Sequence, residues 1–187
     1  MSPITSTLAN GSAYGYRTLA AAGGTSYESI ATATPTSGTS VTFSSIPSTY
    51  TSLQIRAYVQ AGDGSGRIRL NGSSSTSDYA AHILRGDGAS VIGSGAGTGS
   101  YDGIPYYNYY STASGAFIIV DFHDYASTTR NKTVRVTNGI NINASGGYMA
   151  LWSGLYLSTT AISSITVTAG GGFTTGSTIS LYGIKGA

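Results

Sequence analysis

The sequence predicts an all-β fold: a two-sheet antiparallel sandwich, of jelly-roll type, with an extended N-terminal arm. Three observations carry this. Apolar residues recur with period two in short runs, which is the signature of strands with one buried face. Clusters of Gly, Ser, Pro and Asn separate the runs at turn-like spacing. No segment offers a long apolar stripe of helical period. Low charge (9% Asp, Glu, Lys and Arg) and 27 glycines would by themselves suit a disordered chain, but 40% of the residues are hydrophobic and their alternation argues for an ordered core. At 187 residues the chain is long enough to bury one.

The elements follow in order. Residues 1–24 read as an anchoring arm, with 25–187 as the sandwich domain. Within the arm, Ala9 to Gly24 is small and flexible, and reads either as a disordered tail or as an arm whose anchors, Tyr14, Tyr16, Arg17 and Leu19, become ordered against a neighbour. From Tyr27 onward the alternation begins. Val41 and Phe43 alternate with Ser40, Thr42 and Ser44. The clearest strand runs from Leu53 to Val59, with Leu53, Ile55, Ala57 and Val59 on one face and Gln54, Arg56 and Tyr58 on the other. Arg67 to Leu70 alternates too, and Asn71-Gly72 after it is a hairpin signal because both residues tolerate positive φ. Gly86 to Ser114 reads as a long Gly- and Ser-rich excursion, of the kind that is functional or mobile. Phe117 to Phe122 is more continuously apolar and is expected at the centre of a sheet. Val134 and Val136 face inward before a second expected turn at Asn138-Gly139. Tyr148 to Leu157 holds the single Trp152, Ile165 and Val167 form a further strand, and Thr178 to Ile184 closes the series of ten or so.

Composition narrows the function. A net charge of +2 with no run of Lys or Arg gives no electrostatic footprint for nucleic acid. The absence of Cys removes disulfides and thiolate metal sites. No stretch approaches the roughly 18–20 apolar residues of a membrane span, and Met1 to Leu19 does not read as a secretory signal. Fifteen Tyr against a single Glu suit a surface used for contacts, because interfaces are enriched in Tyr and depleted in Lys and Glu.

Several stretches resemble a family of small virion structural proteins of tailed bacteriophages, common among phages of aquatic bacteria. They are Tyr27-Glu28-Ser29-Ile30-Ala31, Val41 through Tyr50 (VTFSSIPSTY), Leu53-Gln54-Ile55-Arg56, Lys132-Thr133-Val134-Arg135, and the ending Ile179 through Gly186 (ISLYGIKG). The resemblance covers nearly everything from Tyr27 on and implies a place at the virion surface, as a head decoration, cement protein or short fibre. It implies no catalytic residues. The stretch from Gly11 to Ala22 looks like the short leader that precedes surface domains of phage structural proteins.

Few residues offer site chemistry. Asp121 and His123 sit two apart on one strand face, a spacing suited to a metal or an acid/base pair, but no further His or Cys lies close in sequence to complete a shell. They are expected to face solvent while Ile118, Val120 and Phe122 pack. Paired carboxylates for glycoside hydrolysis are not evident, since Asp63, Asp87 and Asp102 each precede a Gly in a turn context. The expectation is therefore no enzyme, no cofactor and no metal. The strongest candidate is a tyrosine cluster, Tyr101, Tyr106, Tyr107, Tyr109 and Tyr110, stiffened by Pro105. Tyr presents rigid amphipathic contact area at low entropic cost, either to a neighbouring subunit or to a glycan; the other reading is a loop folded onto its own sandwich. Expected partners are capsid or tail subunits and further copies of the chain in a trimer, following particle symmetry. The alternative is an adhesin whose tyrosine loop binds host surface glycan. Neither nucleic acid nor membrane insertion is expected.

Overall fold

A computed structural model describes residues 26–107, 115–141 and 146–186. The anchoring arm expected over residues 1–24, with Tyr14, Tyr16, Arg17 and Leu19, lies outside them, as do Tyr109 and Tyr110.

The described residues form twelve strands and no α-helix. In chain order they are β1 (Tyr27–Ala33), β2 (Ser40–Phe43), β3 (Ser52–Val59), β4 (Gly66–Leu70), β5 (Tyr79–Gly86) and β6 (Val91–Ala96). There follow β7 (Ile104–Tyr107), β8 (Ala116–His123), β9 (Lys132–Asn141), β10 (Gly147–Tyr156), β11 (Ile165–Ala169) and β12 (Thr178–Ile184). A short 3-10 turn at Thr76–Asp78 leads into β5.

Two antiparallel sheets pack as a sandwich, one of eight strands in the order β1-β12-β3-β8-β9-β10-β5-β6 and one of four in the order β2-β11-β4-β7. The order explains itself as one long antiparallel ribbon wrapped around a core. β1 pairs with β12, β2 with β11, β3 with β8 and β4 with β7. Folding that ribbon over brings β12 beside β3 and β11 beside β4. This is the jelly-roll winding, eight strands in two sheets of four. Two insertions, β5-β6 and β9-β10, join the same sheet beyond β8 and make it eight strands wide.

Alternation fills the space between the sheets. Leu53, Ile55, Ala57 and Val59 of β3 are buried beside Ile118, Val120 and Phe122 of β8 and Val134 and Val136 of β9. Ile68 and Leu70 of β4 and Ile165 and Val167 of β11 face them from the smaller sheet. Each such side chain contributes roughly 1.5–3 kcal/mol by leaving water. Two buried tyrosines, Tyr79 and Tyr125, keep their hydroxyls paired at the margins of this core. Tyr79 accepts from the Leu70 amide at 2.9 Å and donates to the Ser73 carbonyl at 3.1 Å. Tyr125 accepts from the Tyr50 amide at 3.2 Å and donates to the Pro47 carbonyl.

Three expectations are corrected. The excursion from Gly86 to Ser114 contains two strands, β6 and β7. Asn71-Gly72 is a turn, with φ of 51° and 73° and the Ser73 amide on the Leu70 carbonyl at 3.0 Å, but it is not a hairpin. It carries the chain from the small sheet to the large one, because β4 already has β11 and β7 on its two edges. Asn138-Gly139 makes no turn at all. Both residues lie inside β9, paired to Ile118 and Phe117 on one side and to Ala150 and Met149 on the other. Pairing on both edges outweighs a local turn preference.

Candidate contact surfaces

The outward side chains of the large sheet do not follow the usual polar rule. Register places Tyr58, Phe117, Gly139 and Met149 in one row across β3, β8, β9 and β10. The next row runs Arg56, Ile119, Thr137, Leu151, Leu84 and Gly93, ending on β6. Tyr58, Leu84 and Leu151 are about half exposed, while Phe117 is 55% and Met149 68% exposed. A large apolar or aromatic side chain offers roughly 150–250 Å², so these five together present about 500 Å² to solvent. That lies within the roughly 300–600 Å² of the largest patch on an ordinary monomer, a patch that is often functional. The glycines between them keep the face low and open to close approach.

A polar row bounds this patch. Gln54 donates to Asp121 at 2.7 Å and accepts from Arg56 Nε at 2.7 Å. Arg135, Ser153 and His82 continue the row across the sheet. Arg56 also lies over the rings of Tyr27 and Tyr182, 4.9 and 5.6 Å from their centroids. Within the rows of Phe117 and Leu151 the only formal charge is Arg56, at their margin. The face is therefore cheap to desolvate, since no Lys or Glu has to lose its water.

The expected tyrosine cluster is taken apart by the fold. Tyr106 and Tyr107, expected on a presented loop, are fully buried in β7. Their rings lie 4.5 Å apart over Gly66, where an added Cβ would come within 2.0 Å of the Tyr107 ring and 2.4 Å of the Tyr106 ring. The Tyr106 hydroxyl donates to the Thr168 carbonyl at 2.8 Å. Burial pushes both phenols well above their ordinary pKa. These two residues are core and closure, not contact surface. Tyr101 is half-buried, its ring edge-on to Trp152 at 6.4 Å.

Beside Tyr101 lies an ionic cluster that the Asp-Gly reading of Asp102 passed over. The Asp102 carboxylate pairs with Arg69 Nη2, and its carbonyl accepts from Arg69 Nε at 3.1 Å. Arg67 Nε stands 3.7 Å from the same carboxylate. Burial works to raise the Asp102 pKa, but the hydrogen bond and charge of Arg69, with help from Arg67, outweigh it and hold the carboxyl below its ordinary value. The arginines alternate with Ile68 and Leu70 on β4, which is why they share the outward face.

Asp121 and His123 both lie on the outward side of β8, His123 exposed and Asp121 engaged with Gln54. Among the described residues no group of three His, Cys, Asp or Glu is placed to hold a metal ion. No helix of the described chain is long and apolar enough to cross a membrane. No protein-family model, curated protein or solved structure matches this chain.

Of the two surfaces, the apolar one left a trace in the sequence. Phe117 and Ile119 occupy the outward parity of an otherwise alternating strand, as do Met149 and Leu151 farther on. A run apolar at both parities requires cover on both faces, and the sandwich supplies it on only one.

Proposed function

We propose that this chain is a non-enzymatic structural protein of a tailed-phage virion, decorating or cementing the particle surface through subunit contacts. The observation that carries the reading is the apolar outer face of the large sheet, from Tyr58 and Phe117 to Met149, Leu151 and Leu84. About 500 Å² is well over half of the ~800 Å² that each partner contributes to a standard interface. At ~25 cal/mol per Å² its removal from water is worth roughly 12 kcal/mol, comparable with the 4–15 kcal/mol cost of association. A neighbouring capsid or tail subunit, or another copy in a trimer, would add its own apolar area and tip the balance. The sparse charge and the family resemblance of Tyr27 to Gly186 supply the setting.

The test is to image intact particles and to count and place this chain on them. Its density should lie on the particle surface with the Phe117–Leu151 face against a neighbour. The double variant Phe117→Asp, Leu151→Asp should fold but fail to incorporate. Absence of the chain from particles, or normal incorporation of a folded double variant, overturns the reading.

A further inference from the structure

The opposite side of the sandwich has a different chemistry. Outward residues of the four-stranded sheet are Ser40 and Thr42 on β2, Thr166 and Thr168 on β11, and Arg67 and Arg69 on β4, in adjacent register. The Thr42 and Thr166 hydroxyls meet at 2.9 Å. Next to them, Ser40, Ser65, Thr168, Arg67, Arg69 and Asp102 line a hollow of about 380 Å³, near the lower end of small-ligand sites.

Charge in this hollow does not balance. Two guanidiniums face one carboxylate, and Asp102 is committed mainly to Arg69. The side chain of Arg67 is only 16% exposed. Its Nη1 donates to the neighbouring Gly66 carbonyl at 3.0 Å, and its Nε is buried without a hydrogen bond. Its guanidinium carbon lies 5.5 Å from the centre of the Tyr101 ring. Burial disfavours its charge, with Asp102 only partly compensating. A desolvated cation is stabilised by an anion, and since Nε is closed to solvent and turned toward Asp102, a carboxylate would meet the guanidinium end-on at its two Nη atoms. Around it, neither Ser40 nor Ser65 makes a side-chain hydrogen bond to another described residue, so their hydroxyls are open to a hydroxylated ligand.

We infer that this hollow is a binding site for a carboxylate-bearing sugar, the carboxylate on Arg67 and the ring hydroxyls against Ser40, Ser65 and Thr168. Arg69 and Asp102 position Arg67 and close the site toward β7. The inference is independent of the apolar face, which lies on the other side of the molecule.

Titration of the full chain with glucuronate, glucose and inorganic phosphate at one ionic strength, followed by amide resonances, tests it. Glucuronate should produce saturable shifts at Ser40, Ser65 and Thr168, with glucose and phosphate each at least tenfold weaker. Arg67→Gln should weaken glucuronate at least tenfold. Ser40→Ala, at an exposed hydroxyl that bears no internal load, should weaken it two- to fivefold with an unchanged melting temperature. Equal binding of glucose would remove the role of charge, and equal binding of phosphate would reduce the site to a simple anion hole. Either of these, or no saturable shift with glucuronate, overturns the proposal.

Discussion

Lys132 is a fully buried lysine whose ammonium donates to the carbonyls of Arg130, Thr159 and Ser158 at 2.7, 3.2 and 3.5 Å. It joins the loop before β9 to the loop after β10. A methionine would fill the same volume yet leave those acceptors unpaired, so Lys132→Met should lower the unfolding free energy by about 2–4 kcal/mol. A denaturant titration with unchanged slope would show it. Asn138 presents the opposite case. It is 1% exposed with neither amide atom hydrogen-bonded, between Ile118 and Ala150. Asn138→Leu should therefore stabilise the fold, by about 1–2 kcal/mol, because it removes a desolvated polar group at similar size. Tyr79 sets an alkaline limit. Burial pushes its phenol up to about 12 from an ordinary value of 10.0. A group whose folded pKa is raised gives stability that is complete below the unfolded value and is lost as pH rises toward the folded one. Stability should accordingly fall between pH 10 and about 12, in step with phenolate absorbance; the buried Tyr106 and Tyr107 phenols share that limb, so Tyr79→Phe should make it shallower without removing it.

At the scale of elements, Asn71 shows how much one turn can hold. Its side chain accepts from the Ser163 amide at 2.9 Å and donates to the Ala161 carbonyl at 2.9 Å, fixing the loop before β11. Asn71→Ala should cost about 1.5–3 kcal/mol, measured as a shift in denaturation midpoint. The same turn illustrates what was legible in the sequence. Its dipeptide gave the positive φ correctly, and alternation placed β3, β8 and β12 almost residue for residue. What alternation does not carry is which strand lies beside which. Asn71-Gly72 and Asn138-Gly139 are alike as dipeptides, yet one crosses between sheets and the other runs straight through β9, because both ladders of β4 end by Leu70 while those of β9 continue through Asn138 and Gly139. The burial of Tyr106 and Tyr107 is not legible for a related reason. Tyr106 and Tyr107 look like a sticky loop until β7 pairs with β4 and Gly66 makes room for both rings, a long-range coincidence with no local mark. The outward apolar set on β8 and β10 was readable, as a strand apolar at both parities.

For the whole molecule, the wrapped ribbon makes the last strand indispensable. β12 lies between β1 and β3 in the large sheet, and Ile179 and Leu181 are completely buried. Truncation after Ser177 should abolish cooperative unfolding altogether, as seen by calorimetry, instead of fraying one edge. Pairing of the first strand with the last also predicts slow folding, on the millisecond-to-second scale of β-sandwiches rich in distant contacts. The two broad faces of the sandwich then divide its chemistry, apolar on one side and hydroxyl-and-arginine on the other.

The β1–β12 ladder carries a mechanical consequence. Tyr27 pairs with Ile184, and the Lys185 amide reaches the Ser26 carbonyl at 3.1 Å, so residues 26 and 186 lie at one corner of the sandwich. Tension applied between residues 26 and 186 would peel these two strands apart one hydrogen bond at a time, the geometry in which a sheet yields at low force. A load entering at one end and leaving through the broad face of the large sheet would instead be shared across many strands at once. Durable attachment through this domain therefore runs from one end of the described chain to a sheet face, and never from end to end.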